Sequence, residues 1–279
     1  MFHIVCLTKS YDWNDLYTWF KYHDKMGYCI HLIDNESNSD ISNKIINEIN
    51  KSRHTYELLN GWANQWELFN NILNNNKYNL KENDFITFID DDEYLWYKPV
   101  KYKNIEDYIN TQLMEFKYNS FLVPQILMST HELIKERTEN YIYSHLYRRN
   151  DFATQGKSII KYSSKYKYDF LIKSGEEFGH VPVIYNSSEN IDKKRYSVVN
   201  NSGISNTTYG ITDYCSDLRL YHYHIKSIYD WDKKIKRGSA ALNYQWYNSD
   251  ITKNKYYDKY DIIDYTLLET LKILNIKGH

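Results

Sequence analysis

The first 125 residues alternate short apolar runs with segments of helical periodicity, and this alternation constrains the fold more than any other feature of the sequence. Apolar residues spaced three and four apart indicate amphipathic helices, whereas short apolar runs between turn residues indicate buried strands. Strands that alternate with helices form a parallel sheet with helices on its faces. The predicted strands are 2–7, 28–33, 54–59, 84–89 and 120–127, and the predicted helices are 12–26, 41–49, 62–73 and 105–116.

The rest of the chain is less regular, but nothing divides it into separate domains. It has no internal repeat and no Pro-, Gly- or Ser-rich linker, and 279 residues can form one large domain. We predict a single α/β domain, with a Rossmann-like nucleotide-binding half over about 1–125, a second half over about 126–240 and a C-terminal helical segment over about 241–279. The elements predicted after residue 125 are β-like runs at 141–148, 158–162 and 180–185, a strand at 218–225, and helices at 227–237 and 258–275.

The composition excludes several classes of protein. Aromatic residues make up 17% of the chain, with 30 tyrosines, whereas disordered chains have few aromatic residues. The net charge is -1 and no block of like charges forms a basic arm, so we expect no nucleic-acid partner. The many tyrosines and asparagines share A/T-rich codons, which indicates an AT-rich genome, viral or microbial. Alternatively, aromatic faces stack on a base or sugar, and Tyr11, Tyr94 and Tyr223 lie beside motif residues.

The N-terminus and the cysteines favour a cytoplasmic protein. The chain enters an apolar run at once and lacks the basic segment and long apolar segment of a signal peptide. No apolar stretch approaches the roughly 20 residues that span a bilayer. The three cysteines, Cys6, Cys29 and Cys215, form no CxxC pair, and this sparse, odd number fits a reducing compartment. We therefore expect a soluble protein of the cytoplasm, or of the host cytoplasm if the source is viral.

Four acidic residues, 90–93, directly follow the predicted strand 84–89. Ligands of open α/β sheets bind beyond the carboxyl ends of the strands, and acids gathered there repel one another unless a cation neutralises them. In an extended segment Asp90 and Asp92 point the same way, which suits Mn²⁺ or Mg²⁺ held together with a diphosphate. The alternative is a solvated acidic turn.

Two further segments carry candidate site residues. In the predicted strand 218–225, His222 and His224 share one face, so either could bind a metal ion, and Lys226 could meet a phosphate. An ordinary strand with two half-buried histidines is the alternative. After the second strand, Asp34 and Asn35 could contact a ribose or base, or could serve only as turn and cap residues. The sequence has no P-loop, no Gly-x-Gly-x-x-Gly fingerprint and no Gly-x-Ser-x-Gly elbow.

Four segments resemble, in order, motifs of the family-92-type glycosyltransferases and their family-2-like relatives, which have the GT-A fold. Residues 12–27 are similar to the opening acid…Leu-x-x-Trp-x-x-Tyr-His…Gly helix, and residues 34–40 to the Asp-Asn-x-Ser-x-Asp turn. Residues 88–95 resemble the Asp-x-Asp-Glu-Phe metal motif, and residues 222–238 the His-Tyr-x-x-Lys-Ser…Lys…Arg-Gly segment. The usual Lys-Asn-Glu reads Lys-Ser-Tyr-Asp at 9–12, Asp91 replaces an apolar residue, and Tyr94 replaces Phe.

The resemblance implies a GT-A-type nucleotide-binding half fused to an acceptor-binding half. It implies transfer of a sugar from a nucleotide-sugar donor, with a UDP-sugar as the expected donor, to a hydroxyl of a glycan or glycoconjugate acceptor, with inversion. Mn²⁺ or Mg²⁺ would be held by Asp90, Asp92 and His222 with the donor diphosphate. The implied donor-binding residues are Thr8, Asp12, Asp34, Asn35, Asp90 and Lys226.

An inverting reaction also needs a general base near the acceptor. The candidates in the second half are Glu132, Glu176 and Glu177. Two alternative functions remain open. A sugar-phosphate nucleotidyltransferase usually has a Gly-rich phosphate loop, and residues 7–11 contain no glycine. A degenerate, non-catalytic glycan-binding or scaffold protein would not need the acidic and His-Tyr-x-x-Lys motifs that this chain retains.

Overall fold

Ten strands form one sheet in the described part of the computed structural model. The structure describes residues 1–50, 53–61, 64–112, 120–130, 132, 134–149, 156–170, 182–186, 199–200, 203–204, 217–237 and 260–276. In chain order the strands are β1 (Phe2–Thr8), β2 (Cys29–Asn35), β3 (Thr55–Leu59), β4 (Phe85–Phe88), β5 (Glu93–Tyr97), β6 (Ser120–Ser129), β7 (Tyr147–Arg149), β8 (Gly156–Lys161), β9 (Tyr166–Asp169), β10 (Val183–Asn186), β11 (Val199–Asn200), β12 (Gly203–Ile204), β13 (Leu218–His222) and β14 (Tyr260–Ile263).

The helices begin and end where the local sequence favours it. The Asp12 side chain accepts a hydrogen bond from the backbone N–H of Asp15 and caps the first helix, and Gly27, at a φ of 93°, follows its end. Asn64 caps the third helix in the same way. The helices are α1 (Trp13–Lys25), α2 (Ser39–Ile49), α3 (Gln65–Asn74), α4 (Ile105–Gln112), α5 (Tyr141–Ser144), α6 (Ile228–Arg237) and α7 (Thr266–Ile273).

The sheet has a parallel part and a mixed part. Strands β3, β2, β1 and β4 lie side by side and parallel, in that order. Beyond β4 the sheet continues through β8, β6, β7 and β14 by antiparallel pairing. Strand β13 lies parallel to β6 and antiparallel to β5. The predicted α/β class and the parallel core of the sheet are confirmed.

Strand β1 is buried along its whole length and contributes to a core on each face of the sheet. Because side chains alternate along a strand, Ile4 and Cys6 join one cluster and Val5 joins the other. The first cluster includes Trp19 of α1, and the second includes Phe69 of α3. This double burial is typical of parallel sheets, whose strands are covered on both faces.

The structure corrects three sequence-based expectations. The segment 141–148 is not a continuous strand but the short helix α5 followed by β7. The helix expected over 258–275 begins only at Thr266, because β14 pairs with β7 across the fold. The cap of α2 is Asn38 rather than Ser39 or Asp40, since its side chain accepts from the Asp40 N–H. The pairing of β14 with β7 overrides the helical pattern of residues 258–265, and nothing in the local periodicity reveals this pairing.

The described helices include none that could span a bilayer, because none combines sufficient length with sufficient apolarity.

Candidate functional site

The carboxyl ends of β1, β2 and β4 lie at one edge of the sheet. The register places Thr8, the last residue of β1, beside Asp34 of β2. Strand β4 runs parallel to β1 and leads directly into Asp90. The hydroxyl of Thr8 donates to Oδ2 of Asp91 at 2.5 Å. This edge is where open α/β sheets bind their ligands.

The four acids form a tight turn between β4 and β5, the acid turn (residues 90–93). The backbone N–H of Glu93 donates to the carbonyl of Asp90 at 3.1 Å, which closes the turn. The extended conformation expected for this segment is therefore wrong. Asp90 instead lies 2.9 Å from Nζ of Lys157, whereas Asp92 lies beside His222. The turn is required because β5 must reverse to pair with β13.

The pairing of β5 with β13 brings the second motif to the acid turn. Its register sets Glu93 opposite His222, whose Nε2 lies 3.4 Å from Oδ1 of Asp92. Nζ of Lys234, on α6, lies 3.4 Å from Oδ2 of Asp92. Burial acts to raise the pKa of Asp92, but Lys234 and His222 outweigh it and hold this pKa well below its ordinary value. Asp92 is therefore ionised at neutral pH.

Asp92 and His222 suit a shared divalent cation. Adjacent ligands of an octahedral cation with bonds near 2.1 Å lie about 3 Å apart, and Asp92 Oδ1 and His222 Nε2 are separated by 3.4 Å. Mn²⁺ accepts carboxylate ligands readily and imidazole as well. His224 follows the end of β13, and its ring packs against Trp231 with centroids 5.5 Å apart. Of the two candidate histidines, His222 is the one that contacts the acid turn.

Glu93 supports the acid turn from inside the protein. Its carboxylate is fully buried and accepts hydrogen bonds from the side chain of Gln125 and the backbone N–H of Asp90. Nζ of Lys157 lies 3.3 Å from its Oε2. Burial raises the pKa of Glu93 to about 7, while Lys157 opposes the shift and Asp90 adds to it. Glu93 is therefore a positioning residue that changes protonation near neutral pH.

Glu93→Gln should alter how stability depends on pH. The pKa of Glu93 is raised from 4.5 to about 7 in the folded state. The stability that this group contributes is thus complete below about pH 4.5 and is lost as the pH rises through about 7. The variant stays neutral, so its stability relative to wild type should rise by about 2–3 kcal/mol between pH 5 and pH 8. Urea unfolding at several pH values measures this difference.

The control is Glu67→Gln, at an exposed residue of α3. A flat difference between wild type and Glu93→Gln across this pH range would show that Glu93 does not titrate in the folded protein.

A second charged cluster, the Arg137 network, joins α1 to α6. The guanidinium of Arg137 contacts both carboxylate oxygens of Asp15, at 2.8 and 2.7 Å. Its Nε lies 2.7 Å from Asp230, and Nη2 lies 3.2 Å from Asp12. Nζ of Lys226 lies 3.0 Å from the same Asp15 carboxylate. The network therefore positions both Lys226 and the first turn of α6.

Asp34, one of the residues predicted to bind the donor, also has structural partners. Oδ2 of Asp34 accepts hydrogen bonds from Ser42 Oγ and Tyr56 Oη, at 2.6 and 2.8 Å, and Oδ1 accepts from the Ser37 N–H. Asp34 thus has the turn role that the sequence analysis left open, and its contact with a nucleoside stays a prediction. Asn35 beside it is also buried.

Lys226 is half-buried between an acid and an aromatic ring. Its Nζ lies 4.1 Å from the centre of the Tyr141 ring as well as beside Asp15. Burial acts to lower the pKa of Lys226, but Asp15 and the other neighbouring acids raise it above its ordinary value. Lys226 therefore remains a cation close to the acid turn.

Other predicted residues stand differently. Glu132 is exposed, and its role as a base stays a prediction, while Glu176 and Glu177 lie outside the described residues. The stacking role considered for Tyr94 and Tyr223 is wrong, because both are buried in the core, with ring centroids 5.7 Å apart.

Sequence reasoning missed the buried partners of the site. Lys157 carried a weak signal, since it is a lysine next to an apolar strand run. Arg137 carried none, because it lies in an irregular segment and its partners are more than 90 residues away in sequence.

No protein-family model matches the sequence, and no curated protein matches it either. Some solved structures are similar over part of their length. TarS from S. aureus in complex with UDP-GlcNAc is 14% identical with a TM-score of 0.30, and the match covers 57% of this chain and 45% of that one. A putative glucose-1-phosphate thymidylyltransferase from Bacillus anthracis is 8% identical with a TM-score of 0.29, covering 50% of this chain and 62% of that one.

HddC from Yersinia pseudotuberculosis is 12% identical with a TM-score of 0.33, and the match covers 85% of this chain and 99% of that one. The chain spans less than half the length of the TarS structures that it matches.

Proposed function

We propose that the chain is a metal-dependent glycosyltransferase that moves a sugar from a nucleotide-sugar, of the UDP type, to a hydroxyl of a glycan or glycoconjugate. One observation carries the proposal. The ionised Asp92 lies against His222 and Lys234 at the carboxyl edge of the parallel strands. This arrangement offers ligands for a divalent cation and a positive charge for a diphosphate in the same place.

The residues of the site divide between these two tasks. Asp92 and His222 would hold Mn²⁺ or Mg²⁺, with Asp90 of the same turn as a further candidate. A bound ion of this kind stabilises the negative charge that grows on a departing diphosphate. Lys234 and Lys226 are cations near Asp92, and both would stabilise the same charge directly.

The remaining donor and acceptor contacts follow from position. Thr8 ends β1 and Asp12 caps the N-terminus of α1, so both lie at the edge of the sheet where a nucleoside would bind. Asp34 and Asn35 end the neighbouring strand β2. We propose that these four residues face the nucleoside, and that an acid of the second half, Glu132, Glu176 or Glu177, is the base for the acceptor hydroxyl.

Calorimetric titration with UDP tests the donor site. We expect UDP to bind in the presence of Mn²⁺ and to bind at least about tenfold more weakly when EDTA replaces the metal. Asp92→Asn should cause a loss of about the same size, because the amide has no charge to attract the cation. The matched control is Asp232→Asn, at an exposed residue of α6 that lies outside the Asp92 contacts.

The same proteins can be assayed for transfer. Release of UDP from UDP-sugars in the presence of Mn²⁺ supports the proposal, and full metal-dependent turnover by Asp92→Asn contradicts the assignment of the site. Pyrophosphate formed from a nucleoside triphosphate and a sugar phosphate would instead show nucleotidyl transfer. Glycan binding without metal-dependent binding of UDP would show a scaffold.

A further inference from the structure

A group of side chains of the types that bind metals lies on one face of the sheet, at the end of β1 and β2 opposite to the acid turn. His3 of β1 lies beside Cys29 of β2 in the register, and His31 follows Cys29 by two residues, so all three side chains lie on the same face. All three residues are buried. From His3 to Thr8, at the donor edge, β1 extends about 17 Å. The group is therefore separate from the acid turn.

The ligand atoms of these three residues are close enough to share one ion. All lie within 4.8 Å of one another. Nδ1 of His3 is 2.9 Å from Nε2 of His31, and Sγ of Cys29 is 3.9 Å from that same nitrogen. A tetrahedral zinc ion with bonds of 2.0–2.3 Å separates two nitrogens by about 3.3 Å and a nitrogen from a sulfur by about 3.6 Å. The His3–His31 and Cys29–His31 separations each differ from these values by only a few tenths of an ångström.

The far nitrogen of each imidazole also has a suitable neighbour. Nδ1 of His31 lies 2.8 Å from Oγ1 of Thr55, and Nε2 of His3 lies 3.4 Å from Oδ2 of Asp84. Histidines that bind metals are usually oriented in this way, by a carboxylate, carbonyl or hydroxyl on the other ring nitrogen. The Tyr78 ring stacks on His31, with centroids 3.8 Å apart, and holds the ring in place.

We propose that His3, Cys29 and His31 bind a zinc-type divalent cation. Two imidazoles and a thiolate are the ligands that zinc and cobalt prefer over magnesium or calcium. On binding, the thiol of Cys29 releases its proton to solvent, and His31 carries its proton on Nδ1, where the Thr55 oxygen accepts the hydrogen bond. The ion joins β1 to β2 near the amino-terminal ends of these strands, away from the donor site at their carboxyl ends. Three protein ligands leave one position of a tetrahedron to a further ligand.

Cobalt binding tests this proposal, because a Co²⁺–thiolate bond gives a charge-transfer absorption band that a carboxylate site does not give. One sample of metal-free protein is titrated with Co²⁺. A second sample is incubated with zinc and dialysed, and its bound zinc is then measured by elemental analysis. We expect the band and about one zinc ion per chain. Cys29→Ser should abolish the band. The control is Cys6→Ser, whose side chain belongs to the core on the other face of the sheet.

Two further variants guard against misfolding of Cys29→Ser and against confusion of this site with the donor site. Thr55→Val changes an exposed residue and should weaken metal binding about tenfold, which keeps the test valid even if Cys29→Ser fails to fold. Asp92→Asn should leave the band unchanged, so failure of the donor site and failure of this site can be told apart. Absence of the band in wild type, or its persistence in Cys29→Ser, overturns the proposal.

Discussion

Arg137→Leu is expected to lower the free energy of unfolding by about 3–5 kcal/mol, because it removes the cation that two buried carboxylates share. The side chain of Arg137 is 9% exposed, and those of Asp15 and Asp230 are 5% and 8% exposed. Leucine cannot neutralise either acid. Lys226 still faces Asp15, and Ser227 still donates to Asp230, so part of the network survives. Urea unfolding at neutral pH measures the loss.

The pH dependence of this loss separates charge from packing. Burial already raises the pKa of Asp15 above its ordinary value, against the opposing effect of Lys226 and Arg137. Burial also acts to raise the pKa of Asp230, but Arg137 and Ser227 hold it below its ordinary value. Without Arg137 both pKa values should rise, so the variant should recover stability relative to wild type as the pH falls. The difference from wild type should therefore be smaller at pH 5 than at pH 7.5. Lys44→Met removes the exposed partner of Asp40 and should cost less than about 1 kcal/mol. An equal loss at both pH values would contradict the electrostatic explanation.

Trp19→Ala should destabilise the protein by about 3–5 kcal/mol, the usual cost of removing a buried tryptophan. The Trp19 side chain is fully buried in the core on the α1 face of the sheet. Its ring packs against His23 with centroids 4.4 Å apart, and its Nε1 donates to the backbone carbonyl of Glu93 at 2.8 Å. The same side chain thus fills the core and supports the acid turn. Thermal and urea unfolding both report the effect.

Two variants separate the contribution of the Trp19 hydrogen bond from that of its position in the core. Trp19→Phe retains much of the volume but loses the hydrogen bond to Glu93, so we expect a loss of about 1–2 kcal/mol. Trp13→Ala, in the same helix, removes a partly buried ring and should cost less than Trp19→Ala. If Trp13→Ala proved as damaging as Trp19→Ala, the core position of Trp19 would not explain its effect.

The parallel half of the fold could be predicted because its signals are local. Strand β4 is an apolar run that ends in acids, and α1 carries both its cap, Asp12, and its stop, Gly27. The antiparallel half could not be predicted to the same degree. Strand β14 pairs with β7, and the segment reads as helix until that partner is known. Strand β5 lies directly after the acid turn, and its pairing with β13 is equally distant in sequence.

The candidate site divides in the same way. The acids of the turn and the His222 segment stand out because unusual residue types follow apolar strands. The conformation of the turn could not be predicted, because whether residues 90–92 are extended depends on the strand with which β5 pairs. The buried cations were missed because charge pairing across the fold has no sequence period. Arg137 becomes recognisable only when its acidic partners are placed beside it, whereas Lys157 had a weak signal in the sequence.

The order in which parts of the fold can form during synthesis follows from the positions of these partners in the sequence. Strands β1 to β4 and their helices belong to the first 90 residues, and they can pair as soon as they are made. Lys234, which neutralises Asp92, comes 142 residues after it. A nascent chain therefore carries an acid turn without this cation until most of the protein has been made. We expect the parallel core to form early and the donor site to close last.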